Sequence, residues 1–112
     1  MTIQKINEMV AKIGLPFNYY EFPEGTSQAP PYVVWFLSGD DDVHADNTNY
    51  CDIEQLNIEL YTSEKDFDLE TQVERVLKEY GLSFHKESDR IDSEQMQQTS
   101  WEMEVIINES KV

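Results

Sequence analysis

Residues 32–37 read Tyr-Val-Val-Trp-Phe-Leu, an unbroken apolar run. It is far shorter than the roughly 20 residues of a membrane span, and shorter than an ordinary helix. Its β-branched and aromatic content predicts a strand. Side chains on a strand alternate, so Val33, Trp35 and Leu37 fall on one face and Tyr32, Val34 and Phe36 on the other. A strand that is apolar on both faces has to be covered twice.

The neighbouring segments supply one of those covers. Ile3, Ile6, Met9, Val10 and Ile13 recur at helical spacing and predict an amphipathic helix over 3–13, with Thr2 as cap and Gly14 as stop. A second helix is expected over 67–80, striped by Leu69, Val73, Val76, Leu77 and Tyr80. Asp66 is its cap, Asp68 and Glu70 suit the positive end of its dipole, and Gly81 ends it. Further strands are expected over 17–22, 50–62, 82–91 and 99–108. In 50–62, Leu56, Ile58 and Leu60 alternate with Asn57, Glu59 and Tyr61; in 99–108, Trp101, Met103, Val105 and Ile107 alternate with Glu102 and Glu104.

The expected order is α-β-β-β-α-β-β. This is an α+β fold: a mostly antiparallel sheet of about five strands with two helices on one face, in a single domain spanning 1–112. Trp35 and Trp101 read as core residues on adjacent strands. Two short helices cover one sheet face only. The set Tyr32, Val34 and Phe36 therefore needs cover from the loop over 23–31 or from another subunit, and it is the candidate subunit interface.

The chain carries 23 Asp and Glu against 8 Lys and Arg, a net charge of −15 spread over both halves. That charge argues against free binding to nucleic acid or to an anionic membrane. The lone cysteine, Cys51, forbids an internal disulfide and fits a reducing compartment. The first residues lack the basic and apolar blocks of a secretion signal.

Chemistry-bearing motifs are sparse. The run from Asp40 to Asp46, with Asp40, Asp41, Asp42, His44 and Asp46, has the outline of a calcium loop. It lacks the glycine at the sixth position and the closing glutamate at the twelfth, so no metal is expected there. His44 and His85, the only histidines, lie in no nucleophile motif, and Cys51 reads as a small half-buried residue. There is no phosphate-binding glycine loop and no zinc spacing. No catalytic residue and no cofactor is expected.

Several segments resemble one family when taken together. They are Met1-Thr2-Ile3-Gln4-Lys5-Ile6-Asn7-Glu8-Met9, Ile13-Gly14-Leu15-Pro16, Tyr20-Glu21-Phe22, Ala29-Pro30-Pro31-Tyr32-Val33-Val34, Gln55-Leu56-Asn57-Ile58-Glu59-Leu60-Tyr61-Thr62 and Trp101-Glu102-Met103-Glu104-Val105. In this order they resemble the tail terminator, or tail completion, proteins of long-tailed phages and prophages. The resemblance implies a small α/β subunit of the virion that forms a homohexameric ring. The ring would cap the head-proximal end of the tail tube and join it to the head connector, with genomic DNA passing through unbound. It would be assembled in the host cytoplasm and would have the tube protein and the connector as partners. No catalytic residue is carried over, and no membrane is involved. Asp40, Asp41, Asp42 and Asp46 become candidates for an acidic lumen or ring face. Two alternatives stay open: another head–tail connector or minor virion protein, and an acidic inhibitor of a basic partner.

Overall fold

The computed structural model describes residues 1–20, 28–38 and 52–107. Helix α1 spans Ile3–Ala11 and buries Ile6, Met9 and Val10. Thr2 caps it: its hydroxyl accepts from the Lys5 N–H at 3.0 Å. The helix ends earlier than expected because the following bonds tighten, with Ile13 N donating to Val10 O at 3.0 Å and Gly14 N to Ala11 O at 3.2 Å. Ile13 is still buried, so it serves the core from the turn.

Strand β1 is short, Phe17–Tyr19. The expected strand continued to residue 22. Tyr20 instead takes φ 71°, a left-handed conformation that ends the extended run, and 21–22 lie outside the described residues. Strand β2 is Tyr32–Leu37, as expected, and β3 is Asp52–Thr62. Helix α2 spans Phe67–Glu79, with the Asp66 carboxylate accepting from Leu69 N at 3.0 Å. Strand β4, His85–Ile91, begins three residues later than expected. Leu82 and Phe84 pack against the core before the strand starts. A 3₁₀ turn at Asp92–Glu94 leads into β5, Met96–Ile107.

The fold is α+β. The sheet has the order β1-β2-β3-β5-β4. β1 runs parallel to β2 and the other pairings are antiparallel, so the sheet is mixed.

One residue row crosses the helix-covered face. Tyr19, Trp35, Ile58, Trp101 and Lys86 stand in register on the five strands. The two tryptophans are therefore not neighbours as the sequence suggested: β3 lies between their strands, and Ile58 separates them. Trp35, Ile58 and Trp101 join Ile6, Met9, Val73 and Leu77 in one core under both helices. Burial of such side chains contributes about 1.5–3 kcal/mol each. Gln72 on α2 donates to the Ile13 carbonyl and ties α2 to the turn that follows α1.

Candidate functional site

Two charged arrangements lie on opposite sides of the sheet. Under the helices, Glu70 is 2% exposed. Lys65 Nζ lies 2.9 Å from one of its oxygens and Lys86 Nζ lies 2.9 Å from the other. Thr99 Oγ1 donates to the same carboxylate at 3.3 Å. Lys86 also reaches Glu74 at 2.9 Å, and Glu74 accepts the indole N–H of Trp101 at 3.0 Å. Burial opposes the charged form of Glu70, yet the two ammonium groups outweigh it and hold the carboxyl below its usual range. Glu74 is held low in the same way, against its own burial, by Lys86 and the Trp101 N–H. Lys86 is pushed up by both carboxylates, again against burial. Every charge in this cluster is matched, so its chemistry is that of a clamp between α2 and the edge strand β4.

The other arrangement is the face of the sheet away from the helices, open at Glu87, Asp89 and Glu104, which are exposed, but covered at Val34 and Asn57, which are buried. Alternation and register place Glu59 of β3, Glu87 and Asp89 of β4, and Glu102 and Glu104 of β5 there together. Glu59 and Glu87 flank Ser100, one on each side. The Tyr61 hydroxyl donates to Glu59 at 2.9 Å and accepts from Gln98 at 2.8 Å. Burial and then its bond to Glu59 push the Tyr61 phenol well above its ordinary value, so the hydroxyl stays a donor. Tyr61 stacks on Tyr32, ring centroids 4.9 Å apart at 18°. Phe36 meets the Tyr20 ring edge-on at 5.8 Å. Further along, Ile53 and Ile106 pair directly across β3 and β5 and are 68% and 53% exposed.

The sequence candidates fall unevenly on this frame. Tyr32 and Phe36 lie half-buried on the open face, whereas Val34 between them is buried. Asp40, Asp41, Asp42 and Asp46 lie outside the described residues, as do His44 and Cys51. His85 is exposed on the open face with its Nε2 3.1 Å from Glu87. Among the described residues no group of three or more His, Cys, Asp or Glu is arranged to hold a metal. No helix among them is long and apolar enough to cross a membrane.

Sequence reasoning missed Glu70 and the open-face acids as sites. Glu70 stands three residues before Val73 and seven before Leu77, so its helical position already places it on the buried stripe. In β4, bases and acids alternate, and only the register with β5 decides which set meets α2.

No family model matches the chain, and no curated protein matches it. The fold is shared with a chain in a solved structure described as the virion of a native gene transfer agent particle. That likeness has a TM-score of 0.56 at 15% sequence identity and covers 90% of this chain and 84% of the other.

Proposed function

We propose that this chain is a non-enzymatic structural subunit of a phage-like virion, and specifically a tail terminator. Six copies form a ring that caps the head-proximal end of the tail tube and meets the head connector. The observation that carries the reading is the fold likeness to a virion chain over 90% of this sequence. The ordered segments that resemble terminator proteins give the finer assignment.

The net charge of −15 fits that role physically. DNA has to pass through such a ring without sticking, and carboxylates repel phosphates over a Debye length of about 8 Å at physiological salt. Asp40, Asp41, Asp42 and Asp46 are the proposed lumen or ring-face acids. The same charge makes subunits repel one another, so ring assembly strengthens as salt rises.

Electron microscopy of tails assembled with and without the protein tests the reading. Tubes of uniform length only in its presence, with a ring of density at one end, support the terminator. Uniform tubes that fail to join heads in its absence favour a connector. No effect on tubes or joining overturns the virion role.

A further inference from the structure

Among the described residues the lysines and arginines keep to the helix side of the sheet, whereas acids lie on both sides. Lys5, Lys12, Arg75 and Lys78 lie on or at the end of the helices. Lys65 and Lys86 bond Glu70 on the helix side, and Arg90 follows Lys86 in strand parity and donates to Ser63 O at 3.2 Å. Those are all the Lys and Arg among the described residues. The open sheet face thus carries Glu59, Glu87, Asp89, Glu102 and Glu104 with no Lys or Arg from the described residues beside them, only His85, which lies 3.1 Å from Glu87 and in register with Glu102.

From this we infer that the open face of the sheet docks a protein partner that presents a basic, arginine-bearing surface. The inference rests on the charge of this face and stands without the ring reading. Charge complementarity selects the partner's sign. The aromatics favour arginine over lysine, because a guanidinium stacks on Tyr32, Tyr61 or Phe36 while bonding a carboxylate in its plane. Glu59 is already oriented by the Tyr61 hydroxyl, so less ordering is needed on binding. Ile53 and Ile106 add an exposed apolar anchor at one end of the same face. A second copy docked face to face is a poorer occupant, since it would set these acids against the same acids of its neighbour.

The probe is a fluorescein-labelled peptide of nine arginines, followed by anisotropy at low salt. The double variant Glu59→Gln/Glu102→Gln weakens binding about fivefold, as expected for losing two charge contacts of about 0.5 kcal/mol each. A control of equal net charge, Glu8→Gln/Glu79→Gln on the helices, leaves affinity within about twofold. Amide shifts in NMR spectra fall on β3 and β5. A peptide of nine lysines binds more weakly than the arginine peptide. Equal losses in both double variants, or shifts confined to the helices, overturn the proposal in favour of bulk attraction to an acidic protein. Equal binding of the two peptides also overturns it, by removing the aromatic contribution. Sedimentation of the protein alone closes the last route: self-association abolished by Glu59→Gln/Glu102→Gln makes a second copy the occupant and overturns it. Far-UV circular dichroism confirms that each variant is folded.

Discussion

Lys86 and Glu70 lie 2.9 Å apart, nitrogen to carboxylate oxygen, and the pair ties the edge strand of the sheet to the second helix. Glu70 is almost fully buried, so taking away a partner leaves a charge that water cannot reach. Breaking a buried pair costs about 3–5 kcal/mol. Both lysines are about one-third exposed, which softens the loss. Lys86→Met is expected to destabilise the fold by about 2–3 kcal/mol. Urea unfolding measures it, and a double-mutant cycle with Glu70→Gln isolates the pairwise part. An unchanged midpoint would show that Glu70 is adequately held by Lys65 and Thr99 alone.

The same clamp sets a pH dependence. Glu70 and Glu74 are both depressed below 4.5 in the folded state. Their stabilisation is therefore fully present above the unfolded value near 4.5, and it is lost as pH falls through the lower folded values. Lys86 has the opposite sign. It is raised above 10.5, so its contribution is present below that value and is lost as pH rises through the folded one. The stability gap between the native chain and Glu70→Gln is expected to be flat through neutrality and to narrow on acidification below about pH 4.5. Urea midpoints taken from pH 7 downward check this; a gap that stays constant to about pH 3 contradicts the assigned ion pairs.

Ile58 is fully buried on the central strand, in register with Trp35 on one side and Trp101 on the other. Both tryptophans are also nearly fully buried, so neither side can easily close a gap. Ile58→Ala is expected to cost about 3–5 kcal/mol. It should also shift tryptophan emission, because both indoles border the new cavity. A loss below about 1 kcal/mol would mean that the core collapses around the site.

Much of this frame was legible in the residues, for reasons that differ by element. Strand β2 is legible at its true bounds because an apolar run preceded by two prolines and followed by polar residues leaves little freedom. Caps at Thr2 and Asp66 were readable because short oxygen-bearing side chains before an apolar stripe have few other uses. Strand order was not readable. Local alternation says which face a residue takes but not which strand lies beside it, so Ile58 between the tryptophans and the parallel pairing of β1 came only from register. The clamp was hidden for a related reason. Glu70 in the first turn also fits a dipole partner, and its burial depends on two lysines distant in sequence from one another.

Gly81 follows α2 with φ 74°, and a Cβ added there would meet no atom within 4 Å. Any cost of Gly81→Ala is therefore backbone strain and not a clash. About 1 kcal/mol of destabilisation is expected, and less for Gly81→Asn, which tolerates the left-handed region. Equal losses for the two variants would contradict that origin.

Glu59 and Glu87 flank Ser100 on neighbouring strands, roughly 10 Å from each other at ordinary strand spacing. Glu102 is two residues from Ser100 on the same face, and Glu104 two further. Like charges this close repel across a sheet, more so when salt is low. Glu102→Gln/Glu104→Gln is expected to stabilise the isolated chain by about 0.5 kcal/mol in low salt, with the gain shrinking as salt screens the repulsion. Thermal unfolding across a salt series measures it. A protein that keeps mutually repelling carboxylates at some cost in stability is retaining them for a use outside its own fold, as binding surfaces often do. The stabilised variant is therefore expected to bind the arginine peptide more weakly than the native chain. Stabilisation without weakened binding would mean that these two carboxylates merely solvate the face, and would confine docking to Glu59 and its tyrosine neighbours.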